Sequence, residues 1–155
     1  MVKIERSFPA PDSLESEAKK VSGSYEQPDV VSRLRKDFHD KCYICELKNL
    51  QDPQVEHLLP HKNGKYPERK FDWNNLFWSC GHCNGIKNQK KYDDGIIDCC
   101  KNDPELMMTF KLKDGKTEIS AKDEHNSMAV RTALLIYESF NLLNTCLLYT
   151  SPRPR

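Results

Sequence analysis

Two pairs of cysteines constrain this sequence more than any other feature. Cys42 and Cys45 form the stretch CYIC, Cys80 and Cys83 form CGHC, and residues 46–79 separate the two pairs. Two intervening residues let a tight turn direct both thiolates of a pair at one point, which suits a tetrahedral ion. The two pairs supply four ligands, so their spacing predicts a structural zinc site.

The cellular compartment decides how the other cysteines are interpreted. The N-terminus lacks the long apolar region of a secretory signal, and no apolar stretch reaches the roughly 20 residues that span a bilayer. We therefore expect a cytoplasmic protein without a membrane partner, whose thiols stay reduced. Cys99, Cys100 and Cys146 lack paired spacing and are predicted to be free thiols; a redox or metal-sensing role for Cys99 and Cys100 is the alternative.

Length and composition indicate one compact domain with less ordered ends. The chain has 155 residues, which is enough for one modest core. Residues 1–28 combine Pro and Gly with many Ser, Glu and Lys, a composition that predicts a flexible lead-in. Residues 29–92 are the predicted core unit and residues 93–145 an extension. The last stretch, CLLYTSPRPR over 146–155, resembles translated adapter sequence, so we treat it as a non-native tail.

Residue periodicity predicts an α+β fold. Apolar residues at helical spacing, Val30, Val31, Leu34 and Phe38, predict a helix over 29–40. Residues 53–60 (PQVEHLLP) and 74–80 (NNLFWSC) are predicted strands, and residues 84–92 a short basic helix.

Two further elements are predicted in the extension. The Lys-Asp-Gly-Lys sequence at 113–116 lies between strand-like runs and predicts a β-hairpin. A last helix over 123–144 is expected to be capped by Asp123. Its predicted core-facing stripe consists of Val130, Ala133, Leu134, Tyr137, Phe140 and Leu143.

Positive charge is concentrated between His57 and Lys91. This segment holds seven lysines and arginines against Glu68 and Asp72, whereas the whole chain has a formal net charge of only +1. Such a patch attracts a phosphate backbone, although an ordinary solvated basic surface is the alternative. The candidate nucleic-acid contacts are Lys62, Lys65, Lys87, Lys90 and Lys91.

The stretch VEHLLPH, residues 55–61, supplies a second candidate site. The predicted order of strand, strand and helix brings Glu56 and His57 near Asn84. A carboxylate and an amide oxygen suit a hard cation such as Mg²⁺ or Mn²⁺, while an adjacent imidazole can take a proton from water. These groups together predict phosphodiester hydrolysis.

Taken in order, CYIC, VEHLLPH, NNL and CGHCNGIK resemble the HNH nucleases and their ββα-metal (His-Me finger) motif, over roughly residues 38–92. The resemblance implies a small zinc-stapled ββα-metal domain, preceded by a helix and followed by a hairpin and a C-terminal helix. It implies that His57 is the general base and that the Asn75 side chain ties the loop in place. Glu56 and Asn84 are the implied ligands of a catalytic Mg²⁺ or Mn²⁺, although many members of the family have aspartate where Glu56 stands.

The activity that this resemblance implies is one-metal cleavage of nucleic acid, with DNA favoured. His57 would activate a water for in-line attack, and Lys87 and its neighbours would hold the backbone. Such a site reads phosphates more than base edges, so strong sequence specificity is not expected. A catalytically silent zinc module that binds nucleic acid or protein is the alternative function.

Residues after the motif, from YDDGIIDCC through the hairpin, resemble the HNH proteins of retron and Septu anti-phage systems. That resemblance implies a partner ATPase, related to the ABC and SMC ATPases, that controls cutting. Residues 93–145 would then be the docking surface. Two histidines stay open, because both could compete as metal ligands or as the base. His61 could instead support the active-site loop or be an exposed loop residue, and His82 could join either metal or face the solvent.

Overall fold

Residues 1–113 and 116–141 of this computed structural model are described here, and they form a mixed α/β structure with five α-helices and two small antiparallel sheets. In chain order the elements are α1 Asp12–Ala18, α2 Pro28–Asp37, β1 Pro53–His57, β2 Leu76–Cys80, α3 Gly81–Lys87, α4 Pro104–Met107, β3 Met108–Lys113, β4 Lys116–Ala121 and α5 Ser127–Asn141. The predicted mixture of helices and short antiparallel strands is confirmed at this level. Among the helices of these residues, none combines the length and the apolarity that crossing a membrane requires.

Helix α2 is the helix that the apolar spacing predicts before the first cysteine pair. Pro28 lies in its first turn, where the missing N–H has no intrahelical partner to lose. Asp29 near the start and Arg35 near the end complement the helix dipole. Val30 and Leu34 are fully buried and pack the helix onto the core.

The β1–β2 sheet and α3 position the candidate site. The strands pair antiparallel, with Glu56 opposite Phe77 and every residue of β2 buried. Helix α3 follows β2 directly because the Cys80 sulfur caps it, accepting the Cys83 N–H at 3.5 Å. The helix therefore starts earlier than the predicted 84–92 and ends at Lys87, with a short 3-10 turn after it.

Residues 1–28 differ from the predicted flexible lead-in. They contain α1, and Ile4 and Leu14 belong to the buried core. The Arg6 guanidinium donates a hydrogen bond of 2.7 Å to the Trp73 carbonyl. The composition of the segment reflects its exposed side chains, whereas a few inward-facing residues dock it onto the rest of the protein.

The predicted hairpin is formed by β3 and β4, which pair antiparallel along their whole length. Its predicted turn residues Asp114 and Gly115 lie outside the described residues, as do residues 142–155. The helix after it begins at Ser127. Asn126, instead of the predicted Asp123, caps it, because the Asn126 side-chain oxygen accepts the Ala129 N–H at 3.1 Å. Asp123 accepts a hydrogen bond in the preceding turn.

Helix α5 buries only part of the predicted stripe: Ala133 is buried and Phe140 packs against the core. Val130, Leu134 and Tyr137 are 42%, 42% and 50% exposed. Thr132 and Ser139 are fully buried instead, and their hydroxyls donate to carbonyls one turn earlier at 2.7 and 2.8 Å. Because α5 carries apolar residues on two faces, periodicity alone does not identify the buried one. Leu143 of the stripe lies outside the described residues.

Candidate functional site

The structure brings the four predicted zinc ligands together. The sulfur atoms of Cys42, Cys45, Cys80 and Cys83 lie within 4.8 Å of one another, and all four residues are buried. The Cys45 and Cys80 sulfurs are 3.9 Å apart. Two sulfurs that each lie about 2.3 Å from a tetrahedral zinc would be about 3.8 Å apart. The four-cysteine cluster could therefore hold a zinc ion.

The loop that carries the first cysteine pair is fixed by backbone contacts. The Cys42 N–H donates to Leu47 O at 3.0 Å, and Glu46 adopts a φ of 62°, so the chain reverses directly after the pair. The Tyr43 N–H donates to Trp78 O at 3.0 Å and attaches this loop to β2. Strand β2 ends at Cys80 and Cys83 follows in α3, so β2 contacts the loop of the first pair and leads directly into the second pair.

A cleft of about 290 Å³ brings together most of the predicted catalytic residues. Glu56 and His57 reach it from the end of β1, and Asn84 and Lys87 from α3. Because His57 is the last residue of β1 and Asn84 lies in the first turns of α3, the strand, strand, helix order accounts for this convergence.

Glu56 is held inside the protein by two donors. Its side chain is 3% exposed. One carboxylate oxygen, Oε1, pairs with the Lys87 ammonium, and the other, Oε2, accepts a hydrogen bond from the Tyr43 hydroxyl. Burial raises the pKa of Glu56 above its ordinary value, while Lys87 and Tyr43 act against that rise. Burial and the nearby Glu56 raise the pKa of Tyr43, so the phenol stays a donor.

The His57 imidazole is oriented by a backbone carbonyl. Its Nε2 lies 3.0 Å from Lys70 O. Since a carbonyl only accepts, the neutral ring carries its proton on Nε2 and leaves Nδ1 as the basic nitrogen. Burial lowers the pKa of His57 to about 4, so the ring is neutral at neutral pH. The rings of Tyr25 and His61 lie edge-on to it at centroid distances of 4.5 and 4.8 Å.

Asn75 does not line the cleft; it holds the loop that forms one wall. Its Oδ1 accepts the Leu59 N–H at 2.8 Å, and its Nδ2 donates to Leu59 O and Arg69 O, both at 2.9 Å. The residue is 5% exposed. These contacts are of the loop-tying kind that the resemblance implies for Asn75.

The predicted nucleic-acid contacts occupy different environments. Lys87 is 5% exposed and faces the cleft from within. Lys62 and Lys91 are exposed, but each forms an ion pair with an acidic side chain. Lys65 and Lys90 are exposed to solvent. The basic surface is therefore weaker than the residue count alone suggests.

The two histidines that the sequence left open have different surroundings. His61 lines the cleft, and its buried Nδ1 has no hydrogen-bond partner among the described residues. His82 places its Nε2 3.1 Å from Ser139 O, on α5, and is not part of the four-cysteine cluster. Of the two, only His61 is positioned to support the cleft.

Sequence reasoning missed two tyrosines of the site. Tyr43 lies between Cys42 and Cys45, but nothing in its spacing shows that its hydroxyl reaches Glu56. Tyr25 lines the cleft from within the segment interpreted as a flexible lead-in. That segment is held nearby because the Lys70 ammonium donates to Gly23 O at 2.9 Å.

Glu56 and Asn84 are the cleft residues that could hold a hard divalent cation, which would have to compete with Lys87 for the carboxylate. Glu56 offers a carboxylate and Asn84 an amide oxygen, and both line the same cavity. Each carboxylate oxygen keeps a second lone pair beside the hydrogen bond that it accepts. Magnesium commonly needs only one or two carboxylates, with water and phosphate oxygens completing its shell.

Comparisons with known proteins return no match. No family model matches the sequence, and neither a curated protein nor a solved structure matches it.

Proposed function

We propose that this protein is a metal-dependent HNH-type endonuclease, built on a zinc-stapled ββα-metal domain, that hydrolyses phosphodiester bonds, with DNA as the favoured substrate. The observation that carries the proposal is the cleft shared by Glu56, His57, Asn84 and Lys87. The order β1, β2, α3, with four cysteines clustered around the strand–helix junction, supports the same assignment.

His57 is the proposed general base. Its Nδ1 is the free, basic nitrogen, because Nε2 is engaged with Lys70 O. The pKa of about 4 keeps the ring in the unprotonated form that can accept a proton from water at neutral pH, and it also makes the ring of the free protein a weak base. The water attacks phosphorus in line as Nδ1 takes its proton, and the Lys70 carbonyl holds the resulting imidazolium in place.

Glu56 and Asn84 are the proposed ligands of Mg²⁺ or Mn²⁺. When bound, such a cation would stabilise the charge of the pentavalent phosphate and of the departing oxygen. Lys87 adds a second positive charge beside Glu56. Lys62 stands on the cleft lining, where a phosphate oxygen can compete with Asp93 for its ammonium.

The resemblance to anti-phage HNH proteins extends the proposal to a defence complex in which an ATPase partner gates cutting. Residues 93–145 are the proposed docking region. Within it, the exposed side chains of Val130, Leu134 and Tyr137 on α5 offer apolar surface of the kind that protein partners cover.

A catalytically silent zinc module is the second candidate, and one observation favours it. Both oxygens of Glu56 already have partners, Lys87 and Tyr43. In that case the carboxylate would serve only to satisfy buried donors, and the protein would bind nucleic acid or another protein without cutting.

Cleavage of supercoiled plasmid and of a transfer RNA pool by zinc-loaded protein separates the two candidates. The assay includes Mg²⁺, Mn²⁺ or EDTA, beside His57→Ala and, as a matched control, His125→Ala, since His125 is exposed and outside the cleft. A nuclease cuts one substrate only with cation, loses cutting in His57→Ala and keeps it in His125→Ala. If wild type cuts neither substrate, whether alone or with an ATPase partner, the nuclease proposal is refuted and the silent binding module is the remaining candidate.

A further inference from the structure

We propose that Tyr43 is a positioning residue that couples the four-cysteine cluster to the catalytic cation site by fixing the Glu56 carboxylate. The inference rests on the proposed nuclease function and concerns the control of that same site. Tyr43 is placed directly after the ligand Cys42, and its hydroxyl donates to Glu56 Oε2.

The Tyr43 side chain is buried and is held in place by two neighbouring aromatic rings and by a backbone hydrogen bond. It is 1% exposed. Its ring lies 4.9 Å from the Phe77 ring and 6.4 Å from the Phe38 ring. Its backbone N–H donates to Trp78 O at 3.0 Å. A phenol held this firmly imposes its own position on the group that it contacts.

Glu56 needs such a constraint. The terminal torsion of a glutamate carboxylate is broad, so one ion pair to Lys87 leaves the group free to rotate about that axis. A second donor on Oε2 removes this rotation and fixes which lone pairs face the cleft. Tyr43 thus determines the direction from which a cation meets the carboxylate.

One peptide bond joins Tyr43 to Cys42 of the four-cysteine cluster. Whatever holds the sulfurs of Cys42 and Cys45 also holds the backbone that carries the phenol between them. Ordering of the four-cysteine cluster therefore also orders the Tyr43 side chain, and through its hydroxyl the Glu56 carboxylate.

The test compares wild type, Tyr43→Phe and Ser139→Ala, all loaded with zinc. Tyr43→Phe keeps the packed ring and removes only the hydroxyl. Ser139→Ala also removes a buried hydroxyl bond, to Leu135 O in α5, and controls for the general loss of stability. Readouts are zinc per chain, calorimetric Mn²⁺ binding and the Mn²⁺ dependence of cleavage.

We expect the Mn²⁺ dissociation constant to rise about tenfold in Tyr43→Phe, the usual scale for losing a hydrogen bond to a charged group, with zinc content unchanged. Ser139→Ala should bind Mn²⁺ as wild type does. Equal Mn²⁺ affinity in Tyr43→Phe and wild type overturns the inference and leaves the nuclease intact. Absence of Mn²⁺ binding and of cutting in wild type overturns the proposed function, and the inference with it.

A second comparison serves if Tyr43→Phe alone fails to hold zinc. The double variant Tyr43→Phe/Glu56→Gln is compared with Glu56→Gln. Both lack the Glu56 carboxylate that the Tyr43 hydroxyl contacts. Because Tyr43 acts through Glu56, Tyr43→Phe should cost less unfolding free energy in the Glu56→Gln background than in wild type. An equal loss in both backgrounds would show that Tyr43 acts elsewhere and would overturn the inference.

Discussion

Lys87 and Glu56 form an ion pair inside the protein, with side chains only 4% and 3% exposed. The same ammonium donates to His57 O at 2.9 Å, so Lys87 ties α3 to the end of β1 at two points. These contacts fix the spacing between the strand and the helix that form the cleft. Removing either member of such a pair is strongly destabilising, because the remaining charge would be buried without a partner.

Lys87→Met should therefore destabilise the zinc-loaded protein by about 3–5 kcal/mol, since it leaves the Glu56 carboxylate buried without its cation. Chemical denaturation measures this loss. The exposed Lys90 provides the control, and Lys90→Met should change the unfolding free energy by less than about 0.5 kcal/mol. Adding Glu56→Gln to Lys87→Met should restore part of the stability; a double variant as unstable as Lys87→Met would contradict this explanation.

Asn75→Ala should weaken the wall of the cleft. The substitution removes three hydrogen bonds to the Leu59 and Arg69 backbones, and an unsatisfied buried group costs about 1–3 kcal/mol. The neighbouring Asn74 is exposed, so Asn74→Ala should leave stability and cleavage near wild type. The expected kinetic result is a reduced cleavage rate in Asn75→Ala with residual activity, in contrast to the complete loss in His57→Ala. Equal rates for the two asparagine variants would contradict a positioning role.

The cysteine spacing and the strand–helix order were predictable from the sequence because they are local. Cys42 and Cys80 each begin a C-x2-C turn, and the short runs around Glu56 and Phe77 have the composition of strands. The buried face of α5 was not predictable, because apolar residues such as Leu134 lie on its exposed side as well. Which of the two apolar faces is buried depends on the segments that pack against the helix, and those segments are distant in sequence.

The His57 pKa predicts a pH-dependent stability. The imidazole pKa falls from 6.5 in the unfolded chain to about 4 in the folded protein, because of burial. Between these values the unfolded state binds more protons, so stability falls as pH decreases, by about 2 kcal/mol from pH 7 to pH 5. Denaturation of wild type and His57→Gln at both pH values isolates this contribution, since acid effects on the cysteines are common to both. Parallel losses in the two proteins would show that His57 titrates normally.

Removing one cysteine of the cluster should unfold the protein. Structural zinc contributes about 10–16 kcal/mol of apparent binding free energy in small zinc domains, comparable with the about 5–15 kcal/mol by which whole domains are stable. Cys80→Ser should therefore hold no zinc and lose its cooperative thermal transition. Cys100→Ser, outside the cluster, should keep one zinc per chain. Elemental analysis and circular dichroism measure both, and a cooperative melt of zinc-free Cys80→Ser would refute a structural zinc.

The docking of residues 1–28 depends on a close approach at Gly23. A Cβ there would lie 1.9 Å from Glu17 O and 3.2 Å from the Phe71 ring. Gly23→Ala should cost about 1–3 kcal/mol, as overpacking usually does, and speed tryptic cleavage at the exposed Lys19.

Gly85→Ala is the matched control, because a Cβ at that position in α3 meets no atom within 4 Å. It should be neutral or stabilising by up to about 1 kcal/mol, since alanine is the better helix former. Tyr25 follows Gly23 closely and lies against His57, so undocking should also expose the cleft and move the His57 pKa toward its ordinary value. NMR titration of His57 in Gly23→Ala measures that change. An unchanged pKa together with rapid proteolysis would separate the docking of the segment from the environment of the base.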